Sequence, residues 1–262
     1  LFLSLGSQES FAQTFNPGST GADGALVLTT PGVIDFDPTT FNPPLDPDGD
    51  NVYHFTSITI GTGVTVRLTD EHLTGPVFWL ANGPIQIDGT IDLNGQQIAV
   101  SNSGNGNLFI TGIGNYKAIT LSGNGNIAIN QGSAEGGSVT NKGAGNITLQ
   151  GNYSLKNITA EGTGNIRMDG LNSRGLNINS TNNGNILLFG FANLKKLNHS
   201  GNGNIFLYWV NSLHAKITAT GHGVIGLAGQ AKTVDADLQG NVVYDARFLK
   251  TGVTNINTTD YA

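Results

Sequence analysis

The sequence predicts an all-β protein, a right-handed parallel β-solenoid or β-helix with an N-terminal β cap. Three observations carry that prediction. A glycine recurs through the second half at alternating steps of 19 and 20 residues. Apolar columns keep fixed register with that glycine. The composition has 38 glycines, 11% charged residues and no cysteine. Self-similarity at such a period marks stacked coils, and crossovers between parallel strands are nearly always right-handed. No segment shows sustained helical periodicity with caps at both ends. No apolar run is long enough to span a bilayer. Without cysteine the chain has neither disulfides nor thiolate metal sites.

At the N-terminus, Leu1-Phe2-Leu3-Ser4-Leu5-Gly6 reads as the end of a secretory apolar region. Ser10-Phe11-Ala12 follows as a small-x-small cleavage signal. Residues 1–12 are therefore expected to be a signal-peptide remnant, and the protein to be secreted or displayed at the cell surface.

Residues 13–97 are expected to form the cap and first coils. Residues 1–97 hold eleven acids against one base, Arg67, a balance of −10. The remaining residues hold seven acids and eleven bases, a balance of +4, and the whole chain is −6. All eight prolines lie between Pro17 and Pro84. These shifts place a boundary near Gln96 to Ala99 and suggest units of different origin, in a natural or an engineered combination. Strands are expected at 51–60, 64–68, 77–80, 85–88 and 91–93, with glycine turns between them. The runs Gly75-Pro76-Val77-Phe78-Trp79-Leu80 and Ile85-Gln86-Ile87-Asp88-Gly89-Thr90-Ile91-Asp92-Leu93-Asn94-Gly95 resemble the opening coils of secreted pectate-lyase-like β-helix proteins. Here that pattern stops after one or two coils.

Residues 98–262 are expected to be a solenoid of two-strand coils. The marker glycines are Gly106, Gly125, Gly145, Gly164, Gly184, Gly203 and Gly223. Asn107, Asn126, Asn146, Asn165, Asn185 and Asn204 follow the first six, and Val224 the seventh. An apolar residue comes next in every coil, from Leu108 to Ile225. A second stands two residues on, from Ile110 to Leu227, the alternation of a strand with one buried face. A further column, Ile119, Val139, Ile158, Ile178, Leu197, Ile217 and Ala236, always precedes the next glycine by six residues or closes the series. The alternating extra residue therefore lies between the two strands. Corner glycines permit positive φ or close backbone approach, and stacked asparagines can form a ladder of amide hydrogen bonds.

Ser122-Gly123-Asn124-Gly125-Asn126-Ile127 and its copy at Ser200–Ile205 carry a family resemblance. Residues 101–245 resemble the head GIN domain of bacterial auto-transporter adhesins. The resemblance implies a secreted or surface-attached solenoid and transfers no catalytic residue.

Candidate sites are few. Asp46, Asp48 and Asp50, spaced around Gly49, suit Ca²⁺, which takes oxygen ligands; an acidic solvated turn has the same composition. No other cofactor is implied. His54, His72, His199, His214 and His222 show no zinc-ligand spacing. Asp35 and Asp37 form a carboxylate pair at a strand end. Lyase chemistry needs an acidic cluster beside a basic proton acceptor, and the acidic half offers only Arg67. Leu187, Phe189, Phe206 and Tyr208 are expected to point outward on neighbouring coils, with Trp209 beside them. That patch is either a contact surface or the seat of the chain's own segment Val242–Leu249.

The sequence thus reads as a non-enzymatic structural or adhesive β-solenoid. The alternative is a polysaccharide-binding or polysaccharide-active β-helix. Expected partners are a cell-surface glycan or protein and further copies bound head-to-tail. No nucleic acid and no membrane span are expected.

Overall fold

The computed structural model describes residues 2–5, 19–69, 71–73, 77–92, 98–105, 107–111 and 114–259. The cleavage signal Ser10–Ala12, Gln96 of the expected boundary and the first marker glycine, Gly106, lie outside them, while Ala99 at the boundary's other end is described within a strand. The fold is a parallel β-solenoid. The chain divides into two compact units, Leu1–Ser133 and Ala134–Ala262.

The first unit is made of short parallel strands: β1 (Phe2–Leu5), β2 (Ala25–Leu28), β3 (Gly32–Asp35), β4 (Val52–Phe55), β5 (Ser57–Ile60), β6 (Val64–Arg67), β7 (Phe78–Ala81), β8 (Ile85–Ile87), β9 (Thr90–Asp92), β10 (Ile98–Asn102), β11 (Leu108–Thr111), β12 (Tyr116–Leu121) and the start of β13 (Ile127–Asn141). Strands occupy each stretch expected from 51 to 92, with the one expected at 51–60 split into β4 and β5 at Thr56; Leu93 lies outside the described residues, and β2 and β3 precede these strands. β4, β7, β1, β10 and β12 pair in sequence along one face. β2, β5, β8, β11 and β13 pair along a second, and β3, β6 and β9 along a third. One coil here is therefore three strands. Phe2–Leu5, part of the stretch read as secretory, lies as a strand between β7 and β10.

Alternation buries Tyr53 and Phe55 from β4 and Trp79 from β7. Phe36 joins them, 5.2 Å edge-on to Tyr53 and 5.0 Å from Trp79. Edge-to-face packing is the arrangement the ring quadrupoles favour.

In the second unit each coil is one long strand: β14 (Ile147–Ala160), β15 (Ile166–Ser180), β16 (Ile186–His199), β17 (Ile205–Ala219), β18 (His222–Gln239) and β19 (Asn241–Thr259). Each pairs in parallel with the next. The marker columns stack in register, for example Ile147, Ile166, Ile186, Ile205 and Ile225, and all five are buried. The expected two-strand coil with an intervening turn gives way to continuous pairing. The extra residue is absorbed at register shifts, such as those between Gln150 and Asn157. This middle stretch supplies its own buried wall, including Tyr153, Leu171, Ala192, Leu194 and Val210.

The marker glycines are required by contact more than by backbone angle. A Cβ on Gly164, Gly184 or Gly203 would enter the carbonyl of the glycine one coil below. Of the described marker glycines only Gly223 has positive φ, at 107°.

Candidate functional site

The asparagine column forms a ladder. Asn126 donates its backbone N–H and its amide to Asn107 Oδ1, at 3.0 and 2.8 Å. In the second unit Asn165 donates in the same way to Asn146, Asn185 to Asn165 and Asn204 to Asn185. Val224 has no amide side chain, yet its backbone N–H donates to Asn204 Oδ1 at 2.9 Å. Each rung satisfies a corner N–H that would otherwise lack a partner. An inner polar column was not legible from the pattern. Ser180, Asn182 and His199 are buried, with Ser180 donating to Asn182 Oδ1 and His199 Nδ1 3.2 Å from Ser180 Oγ.

In the first unit, Asp46, Asp48 and Asp50 can bring ligand oxygens within 4.8 Å of one another. The loop also satisfies itself. Asp46 accepts the backbone N–H of Asp50 on one oxygen and that of Asn51 on the other, at 3.0 and 2.8 Å. Burial pushes the Asp46 carboxyl up, against the pull of those donors, and Asp48 and Asp50 add to the rise. Asp46 and Asn51 both hold positive φ, 53° and 59°.

Asp35 and Asp37 do not act as a pair. Asp35 takes both prongs of the Arg67 guanidinium, at 2.6 and 2.8 Å, across the β3–β6 pairing. Asp37 accepts the Thr39 N–H and hydroxyl at the start of the 3₁₀ turn Pro38–Thr40. The hydrogen bonds hold both carboxyls below the usual range. Among the described residues the histidines join no group of three metal-ligating side chains.

The aromatic patch forms on β16 and β17. Phe189 and Tyr208 are register partners, with rings 4.9 Å apart and parallel to within 1°. Arg167 of the coil below places its guanidinium 5.1 Å from the Phe189 centroid, a cation–π contact. Leu187 pairs with Phe206, and both are half-buried. Phe206 lies against Gly226, where a Cβ would meet its ring at 2.5 Å. Val242–Leu249 does not cover this patch: it belongs to β19, which pairs with β18.

Trp209 is 72% exposed and holds φ at 74°. It directly follows Tyr208, a member of the column Gln150, Asp169, Phe189, Tyr208 and Ala228, the platform column. The equivalents on other coils are Gly151, Gly170, Gly190 and Gly229, all with positive φ, and Gln131, which also holds positive φ, at 62°. Positive φ there favours glycine, and at Gly170, Gly190 and Gly229 a Cβ would also meet a backbone carbonyl one coil below. Gln131 and Trp209 are the side-chain-bearing residues there among the described coils, and Trp209 is the bulky one, in a strained region. The pattern was readable as a second glycine column, but nothing in the sequence marked its φ.

The family model described as "Putative auto-transporter adhesin, head GIN domain" matches residues 90–195. The match contains the ladder from Asn107 to Asn185 together with Phe189, and ends before Phe206, Tyr208 and Trp209. No curated protein and no solved structure matches the chain.

Proposed function

We propose that this protein is an exported, cell-surface adhesive β-solenoid, and that the aromatic face of the second unit is its contact surface. The observation that carries this reading is Trp209. A left-handed backbone costs a side-chain-bearing residue about 1–2 kcal/mol. Four equivalent coils avoid that cost with glycine, and a fifth bears it with the smaller, polar Gln131. Trp209 recovers little by packing, because most of its ring faces water. A tryptophan held at a cost and exposed beside a stacked Phe189–Tyr208 pair is what a contact surface requires, since large aromatic side chains dominate interface energetics. The adhesin-head match over residues 90–195 supports the same role.

The test is Trp209→Gly. It should raise stability by about 1 kcal/mol by relieving the strain. It should also reduce retention of protein-coated beads on cell and polysaccharide surfaces. Unchanged retention would overturn the assignment of the face.

No catalytic step is part of this reading. Arg67, the base of the acidic half, is engaged by Asp35. Ca²⁺ at Asp46, Asp48 and Asp50 would be a local structural ion. Head-to-tail self-association is supported by charge, since the acidic first half complements the basic second. Light scattering at low and high salt tests this, since screening should weaken the contact.

A further inference from the structure

The platform column continues past Tyr208. Its partner on β18 is Ala228, and the partner of Ala228 on β19 is Phe248. Parallel partners present their side chains to the same face. Phe189 and Tyr208 show the normal rung spacing of this ladder, 4.9 Å. Ala228 interrupts it with a single methyl. Tyr208 and Phe248 are therefore two strand spacings apart, about 9.6 Å. Both rings are exposed, 41% and 76%. A ring held midway would sit about 4.8 Å from each wall, within the range of ring stacking.

Three residues on from Tyr208, and two on from Ala228 and Phe248, lies an open depression of about 340 Å³. Asn211, Gln230, Lys232, Lys250 and Thr251 are among its lining. Among the described residues the lysine that forms an ion pair is Lys142, with Glu161; Lys232 and Lys250 form none. Arg247 stands 6.0 Å from the Phe248 centroid, paired with Asp245.

We infer that this face binds an anionic polysaccharide: one pyranose ring enters the slot between Tyr208 and Phe248 over Ala228, and the acid group of a neighbouring residue meets Lys232 and Lys250. The inference rests on the adhesive reading and names its ligand class. The C–H face of a pyranose suits an aromatic wall. Its hydroxyls suit the Asn211–Gln230 amide pair, in which Gln230 donates to Asn211 Oδ1 at 3.3 Å and leaves the Asn211 amide N–H and the Gln230 carbonyl oxygen to meet them, and a carboxylate or sulfate suits the two lysines. An aromatic side chain from a protein would fill the slot but leave the two lysines without a counter-charge.

Ala228→Phe is the direct test, because it fills the slot by completing the ladder and removes no packing. Titration calorimetry would use an oligogalacturonate, a sulfated heparin oligosaccharide and a neutral cello-oligosaccharide. The wild type should bind one or both anionic probes about tenfold or more tighter than the neutral one, a gap of about 1.4 kcal/mol. The carboxylated and sulfated arms identify which acid is preferred. Ala228→Phe should abolish that binding, and Lys232→Ala with Lys250→Ala should remove the preference for charge. Equal binding by Ala228→Phe, or equal affinity for the neutral probe, would overturn the inference. If the wild type binds no anionic probe while bead retention still depends on Trp209, the slot fails and the adhesive reading stands. If oligosaccharide binding follows Ala228 but retention ignores Trp209, the slot stands and that contact face fails.

Discussion

The two units solve the same problem, closing a parallel coil, by different means. In the first, strands are three to six residues long until β13, and each turn has its own chemistry. Its core is an aromatic cluster in which Phe36, Tyr53, Phe55 and Trp79 each have a distinct place. In the second, strands run 14 to 19 residues from β14 onward, and a core residue mostly meets its own counterpart one coil away. Column positions in a repeat are constrained by near-identical neighbours, so they interchange. Positions in the first unit have no counterparts, so they do not.

The largest test of this difference pairs two core substitutions. Trp79→Ala should cost about 3–5 kcal/mol, since it empties the centre of the aromatic cluster. Leu188→Met should cost less than about 1.5 kcal/mol, because Met168 already occupies that column one coil below. Chemical denaturation followed by far-ultraviolet circular dichroism measures both. A Leu188→Met loss as large as that of Trp79→Ala would break the idea of interchangeable columns.

This contrast also explains what could be read from the sequence. The marker columns were legible because they repeat: Ile147 to Ile225 are buried as alternation required, and Asn107 to Asn204 form the ladder. The wall from Tyr153 to Val210 was not legible, because the extra residue shifts its phase between coils and removes the period. Asp35 looked like half of a carboxylate pair because its partner, Arg67, is 32 residues away. Phe189, Tyr208 and Trp209 were visible as an outward cluster. The slot was not, since it depends on Ala228 and Phe248 sharing one column across a bulge.

Glycines separate the units a second time. Gly203→Ala drives a methyl into the Gly184 carbonyl, backbone that cannot turn aside, and should cost about 1–3 kcal/mol. Gly24, with φ at 71°, has nothing near a new Cβ. Its Ala variant should lose about 1–2 kcal/mol through conformation alone. Asparagine distinguishes the two causes. It tolerates left-handed backbone, so Gly24→Asn should recover part of the loss, whereas Gly203→Asn should recover none. Thermal melts of the four variants decide it, and recovery at Gly203 would show that φ, not contact, fixes the repeat.

A ladder rung should matter less. Asn185→Ala removes the acceptor for the Asn204 N–H and the amide given to Asn165. A net hydrogen bond contributes about 0.5–1.5 kcal/mol, and the corner is partly open to water. A loss near 1 kcal/mol by denaturant titration is expected. No loss would mean that glycine contacts and apolar columns hold the coils unaided.

The smallest expected effect is that of Ca²⁺, and it should be confined to the first unit. Asp46 has both oxygens occupied by backbone N–H groups, so its loop is closed without an ion. Burial nevertheless raises its carboxyl, with Asp48 and Asp50 adding to the rise. A raised carboxyl keeps in the folded state a proton that the unfolded chain has lost. Stability therefore falls as pH rises from about 3.9, the unfolded value, through the folded one. Ca²⁺ competes with that proton, so any stabilisation should be larger at neutral pH than in acid. With free Ca²⁺ no higher than its dissociation constant, the gain is below about 0.5 kcal/mol. Trp79 lies in the first unit and Trp209 in the second, so Trp209→Phe leaves Trp79 as the fluorescent reporter. Its melting transition should rise slightly with Ca²⁺ at neutral pH and not at all in acid, while EDTA leaves the circular dichroism of the repeat unchanged. Loss of the whole β signal on chelation would show instead that an ion, rather than stacked columns, holds the solenoid together.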